Sequence, residues 1–95
     1  MDSIIQSERK CYICHTRHAI HKHHIFYGRG NRDKSEKHGF TAYLCASHHN
    51  MGDNCVHRNR SMDLFLKRTC QREFEKTHTR NEFMAIIGKN YLEEI

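Results

Sequence analysis

Two residues separate Cys11 from Cys14, and two separate Cys45 from His48. That gap lets a single turn aim both side chains of a pair at one point. Two such pairs supply the four soft or borderline ligands that a structural zinc takes in a tetrahedron. The spacing therefore predicts a structural zinc held by Cys11, Cys14, Cys45 and His48. Cys55 competes for the fourth place, but it follows Gly52-Asp53-Asn54 with no partner at pair spacing and does not join the set. Cys70 falls on the apolar face of a predicted helix and reads as core. A short chain gains most from a metal staple, because it buries a smaller share of its surface than a long one.

Histidine is the abnormal figure in the composition: ten in 95 residues, alongside five cysteines. All the histidines except His78, and all the cysteines except Cys70, lie in the first 60 residues. The excess charge sits there too. Residues 1–60 carry ten Lys and Arg against five acids, a balance of +5, whereas residues 61–95 carry six against six. Metal-capable side chains and a positive field thus share one segment, as a site acting on a polyanion requires. His23, His24, His49 and His57 are the imidazoles that packing explains least. Neighbours on a strand point to opposite faces, so His23 and His24 are expected to divide the work, one on a metal and the other not.

These residues need a scaffold, and the sequence outlines one. Part of Ala19–Tyr27, β-branched and aromatic, predicts a strand, and Phe40-Thr41-Ala42-Tyr43-Leu44 predicts a second that feeds into Cys45. The polar stretch 28–39 between them reads as a hairpin loop with one helical turn near Lys34–Lys37. Met62, Phe65, Leu66, Thr69, Cys70 and Phe74 recur at helical steps and predict an amphipathic helix over about 60–77. Thr79-Arg80-Asn81-Glu82 matches a capping box, opening a last helix with Phe83, Ile87 and Tyr91 on one face and Gly88 weakening or ending it. The chain reads as one domain over 1–95, with a core at 11–60 and a helical part at 61–95. It has no run of about 18 apolar residues for a membrane-spanning helix. An odd cysteine count and a start with neither a basic nor a long apolar stretch predict reduced thiols in a cytoplasmic compartment.

Together, His23-His24-Ile25, the polar loop, the strand ending Leu44-Cys45 and the run Cys45-Ala46-Ser47-His48-His49 resemble the HNH endonuclease family, whose core is the ββα-metal fold. The stretch Tyr43–Met51, the following Val56-His57 and the closing Phe83–Leu92 look like small phage-borne HNH-type proteins. The resemblance implies an α+β fold class: a small ββα-metal core with structural zinc knuckles, plus two C-terminal helices. It implies His23 as first ligand of a catalytic divalent ion and His24 as the general base that deprotonates a water. His49 would be the second ligand, and His57 a third ligand or a phosphate contact.

The chain departs from the family pattern twice. Members of this type often have three residues between the last two histidines; here there are seven. Eight positions along an unbroken helix span ~12 Å, too far for one ion, so a bend is expected at Gly52-Asp53-Asn54. The middle asparagine that orients the base is also missing: its place falls near His38 and Gly39, and Asn31 is the nearest asparagine.

What the resemblance implies chemically is hydrolysis of DNA phosphodiester bonds. A neutral imidazole is suited to taking a proton from water at physiological pH, and one divalent ion (Mg, Mn, Ni, Co or Zn) supplies Lewis acidity. Arg29, Arg32, Lys34 and Lys37 are the expected phosphate contacts. The implied partner is DNA, in the cytoplasm of a cell hosting a phage or prophage. A double-strand cut calls for a homodimer, and a phage or host protein is the other expected partner. Two rivals keep the zinc but not the cleavage: a DNA-binding module, and a degenerate nuclease scaffold that acts through a protein partner.

Overall fold

Ile20–His24 (β1) and Thr41–Cys45 (β2) pair antiparallel, with Ile20 opposite Cys45, His23 opposite Ala42 and His24 opposite Thr41. This register sends the cysteine end of β2 and the histidine end of β1 to opposite ends of the sheet. The computed structural model describes residues 1–52 and 55–92. They form a small α+β domain in the order β1, Asn31–His38 (α1), β2, a π-helical turn at Ser47–Met51, Arg60–Phe74 (α2) and Arg80–Ile87 (α3).

The connection between the strands is more ordered than a hairpin loop. It contains α1, two turns long, where the sequence predicted a single turn. Gly30 and Gly39, both left-handed, bracket this helix, and Asp33 in its first turn with Lys37 and His38 in its last suit the helix dipole. Eight polar residues leave no apolar stripe for periodicity to detect. Ser35 holds the helix down: fully buried, its hydroxyl donates to the Phe26 carbonyl at 2.7 Å and accepts from the Phe26 amide at 3.1 Å.

The outer edge of β2 is covered by the N-terminal segment. The Ile4 amide donates to the Gly39 carbonyl at 2.9 Å, and the Tyr12 amide to the Tyr43 carbonyl at 2.8 Å. Gln6 Oε1 accepts from the Tyr43 amide at 2.8 Å. The segment crosses so close to Gly39 that a Cβ there would lie 2.3 Å from the Asp2 carbonyl oxygen. An edge strand with its donors and acceptors filled cannot recruit another chain.

Below the sheet lies an aromatic core. Phe26, Phe40, Phe74 and Phe83 are buried with ring centroids 5.4–5.9 Å apart, joined by Ile25, Leu44 and Leu66. Each such side chain contributes ~1.5–3 kcal/mol by leaving water. Helix α2 is capped by Asn59, whose side chain accepts from the Met62 amide, and ends at Phe74, three residues before the predicted limit. Leu66, Cys70 and Phe74 face inward as the stripe requires, but Phe65 is about half exposed (48%). The Thr79–Glu82 capping box is formed in both directions. Gly88, at φ 85°, stops α3, so Tyr91 reaches the core from beyond the helix, 5.4 Å from the Phe26 ring, and not from its face. No described helix is long and apolar enough to cross a membrane.

Candidate metal centres

Cys11 and Cys14 flank a tight turn closed by hydrogen bonds from the His15 amide to the Cys11 carbonyl (2.9 Å) and from the Cys11 amide to the Thr16 carbonyl (2.8 Å). Cys45 ends β2, and His48 follows in the π-helical turn. The four ligand atoms all lie within 4.8 Å of one another. Zinc-like bonds of ~2.3 Å to sulfur and ~2.0 Å to nitrogen, at tetrahedral angles, put S···S pairs about 3.8 Å apart and S···N pairs about 3.5 Å apart. Here Cys14 and Cys45 sulfurs are 3.8 Å apart, and His48 Nδ1 stands 3.6 Å from Cys11 Sγ and 3.2 Å from Cys45 Sγ. The set fits one metal ion.

The electrostatics agree with that donor set. Burial works against a thiolate at Cys11, but the amides of Cys14, Cys45 and Ile13 around its sulfur more than offset it and bring its pKa down to about 6. Cys45 moves the other way, raised by burial and by the sulfurs of Cys11 and Cys14 beside it. Three sulfurs packed together resist full ionisation until a cation joins them.

A second cluster occupies the other end of the sheet. His23, His49 and His57 bring one ring nitrogen each to within 4.8 Å of the others. Their ring centroids form a near-equilateral triangle with sides of 5.3, 5.3 and 4.9 Å. The Nε2 atoms of His49 and His57 are 3.3 Å apart, about the separation of two nitrogens on one tetrahedral ion. His23 is 2% exposed, and its Nε2 is buried without a hydrogen-bond partner. Burial, then the neighbouring imidazoles of His49, His57 and His24 and the Lys67 ammonium, lower its pKa to about 3. His49 is lowered as well, by burial first and then by His57 and His21. One ring nitrogen from each of the three converges on one point, and His23 Nε2 has no hydrogen-bond partner there, so the set could hold a metal ion.

Local structure explains how residues so far apart in sequence converge. Residues 21 and 23 share one face of β1 and residues 22 and 24 the other. His21 and His23 both approach His49, while Lys22 and His24 both bond Glu36 of α1, at 2.8 and 3.0 Å. Adjacent residues of the π-helical turn diverge, sending His48 to the sulfurs and His49 to the triad. The turn closes with the Gly52 amide on the Ser47 carbonyl at 3.1 Å, where a Cβ on Gly52 would come within 2.6 Å of that same oxygen. Of the expected bend at Gly52-Asp53-Asn54, Gly52 is extended; Asp53 and Asn54 lie outside the described residues. The chain then folds back, the Val56 amide donating to the His48 carbonyl at 2.7 Å, and this return carries His57 to His49.

No family model, no curated protein and no solved structure matches this chain. What the site can do must therefore come from its own geometry. Lys22, His23, His24, Tyr27, Arg32, His49 and His57 line a cleft of about 280 Å³. Of the four basic residues read as phosphate contacts, Arg32 reaches this cleft; Arg29, Lys34 and Lys37 are exposed and do not line it. Tyr27 closes one side, its ring 5.6 Å from that of His57 and its hydroxyl donating to Asp63 at 3.2 Å. Buried Asp63 pairs with Lys67 at 2.8 Å, and the Lys67 ammonium lies 4.4 Å from the Tyr27 ring centre. Burial and then Asp63 raise the Tyr27 pKa, so it remains a phenol.

Several residues at or near the cleft escaped the sequence reading, Tyr27 among them. His21 puts Nδ1 3.0 Å from His49 Nδ1, leaving His49 Nε2 to face the triad, as an outer partner that orients a ligand does. Its signal was there: it sits two residues before His23, on the same face. Lys22 follows by the same rule from His24. Glu36 had no such signal, because its place depends on a helix that the apolar pattern does not reveal. Asn31, the nearest asparagine, begins α1 and does not line the cleft. Cys55 and Cys70 are buried, and neither belongs to a described metal cluster.

Proposed function

We propose that this chain is a metal-dependent endonuclease of the HNH type, hydrolysing DNA phosphodiester bonds in the cytoplasm of a cell carrying a phage or prophage. The observation that supports it most is the meeting of His23, His49 and His57 in one cleft with His24 and Arg32 on its walls. Three protein ligands with a position left open distinguish a catalytic metal site from a closed, four-ligand structural one. The Cys11, Cys14, Cys45 and His48 set is the closed kind, and zinc is the ion its three sulfurs and one nitrogen select. His23, His49 and His57 would hold the second, divalent ion, which when bound supplies Lewis acidity toward a phosphate oxygen and the leaving oxygen.

His24 acts as general base, taking a proton from a water in the cleft. The resulting hydroxide forms a bond to phosphorus and the phosphorus–O3′ bond breaks, the leaving oxygen taking its proton from solvent. Arg32 pairs with a phosphate oxygen and so sets the scissile group in line. A cleft of about 280 Å³ matches one phosphate and its flanking sugars better than a base pair, so contacts beyond the scissile group fall to the exposed Arg29, Lys34 and Lys37.

The test is nicking of supercoiled plasmid with Mg or Mn, compared with EDTA and with His24→Ala. Cleavage should stop with EDTA and fall ~10²–10⁴-fold in His24→Ala, with plasmid binding retained. His24→Ala protein that nicks as fast as the parent removes the base assignment. Plasmid binding without nicking under any divalent ion favours the DNA-binding module instead.

A further inference from the structure

The asparagine that would orient the base is missing, yet His24 is held. Its Nε2 lies 3.0 Å from Glu36 Oε2, and Lys22 Nζ lies 2.8 Å from Glu36 Oε1, so each carboxylate oxygen has one partner. We propose that Glu36 is the positioning residue for His24: its carboxylate accepts a hydrogen bond from Nε2–H, fixes that tautomer and leaves Nδ1 to take the proton from water. The inference rests on the nuclease reading of the cleft and adds to it the group that prepares the base.

Backbone architecture makes this contact a built one. Ser35, next to Glu36, is fully buried and grips both the amide and the carbonyl of Phe26, two residues beyond His24. The Ser35 carbonyl in turn accepts from the Phe40 amide at 2.8 Å, just before β2. Glu36 therefore stands on a turn pinned to the ends of both strands. The backbones that carry His24 and Glu36 are thereby held in place, and the half-exposed Glu36 side chain has only its own rotamers to settle. The Lys22 contact fixes the rotation of the carboxylate and, with His24, holds it ionised, below the usual carboxylate range.

The chemistry follows from where charge appears. As Nδ1 takes a proton from water, the imidazole becomes a cation, and a carboxylate already hydrogen-bonded to Nε2–H stabilises that charge as it forms. Glu36 keeps its own charge throughout and does not take the proton. Phosphorus receives the hydroxide oxygen, O3′ departs with the bonding pair and is protonated by solvent, and His24 returns its proton to water.

The experiment compares the parent chain with Glu36→Gln and Glu36→Ala, both zinc-loaded, by plasmid nicking kinetics with Mg. The same proteins are examined by ring-nitrogen NMR of His24 at pH 8. The parent should show the Nε2–H tautomer. Glu36→Gln, whose amide oxygen still accepts, should keep that tautomer and lose about 10-fold in kcat; Glu36→Ala should show mixed tautomers and lose about 100-fold, with KM unchanged in both. An Nδ1–H tautomer in the parent chain overturns the inference whatever the activity. Parent-like kcat in Glu36→Ala, or a loss confined to KM, overturns it while leaving the nuclease reading intact. A parent chain that binds plasmid but never nicks it overturns that reading, and this inference falls with it. Should Glu36→Ala lose its zinc or fold, the nearly isosteric Glu36→Gln carries the test through its kcat.

Discussion

At the Ile20–Cys45 end of the sheet, four ligands come from two short turns, and sulfur dominates. At the His24–Thr41 end, three ligands come from β1, the π-helical turn and the segment that folds back after it, and all are imidazoles. The first cluster is closed and built from two local pairs; the second is open and takes its ligands one at a time. Local pairs at fixed spacing hold an ion as part of folding, whereas the open triad depends on packing that the rest of the molecule must already have achieved. His48 and His49, consecutive in the chain, mark the border between the two.

The sharpest way to break this contrast is to remove one ligand from each end. Cys11→Ser should forfeit metal binding on the order of 10 kcal/mol, comparable to the whole stability of a small domain. That protein should carry no tightly bound zinc by mass spectrometry and show no cooperative melt. His49→Ala should keep the zinc, melt within a few degrees of the parent and lose only a second, exchangeable ion. A folded, zinc-bearing Cys11→Ser protein would erase the distinction.

A smaller loss should come from behind the open cluster. Lys67→Ala leaves Asp63, 4% exposed, without its cation and, among the described residues, with the Tyr27 hydroxyl as its remaining side-chain partner. Stranding a buried charge costs about 3–5 kcal/mol, measurable by urea unfolding of the zinc-loaded chain. If the midpoint does not move, Asp63 is better solvated than its burial implies.

Acid should separate the ends more gently. His23 keeps its proton only below about pH 3 when folded, against ~6.5 unfolded, and His49 is lowered in the same sense. Between those values the unfolded chain binds more protons. This contribution is therefore fully present above pH ~6.5 and is lost as pH falls toward 3. With zinc at the sulfur cluster and no second ion added, urea midpoints should fall steadily from pH 7 to pH 5. Adding the second ion should steepen that fall, since protons then compete with metal for the same nitrogens. A flat profile would mean that the triad is solvated.

Legibility in the sequence follows the same division. The sulfur cluster could be read because its ligands come in pairs whose spacing reports geometry directly. Leu66, Cys70, Phe74 and the Thr79–Glu82 box were legible because helical periodicity and capping are local. The histidine triad was not readable from spacing; the resemblance to HNH endonucleases suggested it, and the Val56–His48 hydrogen bond explains how a seven-residue gap closes. Only one turn of helix α1, near Lys34–Lys37, was legible, because eight polar residues carry no apolar period, and Glu36 went unassigned. His21 could have been found, since the alternation that separates His23 from His24 places it beside His23.

The cover over β2 has a practical side. Asp2 to Tyr12 fill the hydrogen-bonding rim of a two-stranded sheet, and Gly39 gives them room to lie flat. Lifting that ribbon, whether by a protease nick before Lys10 or by a methyl group at position 39, would bare the Tyr43 backbone and turn a covered strand edge into a docking rail for other copies of the chain. Expression tags for this protein accordingly belong after α3, away from the strand that the ribbon seals.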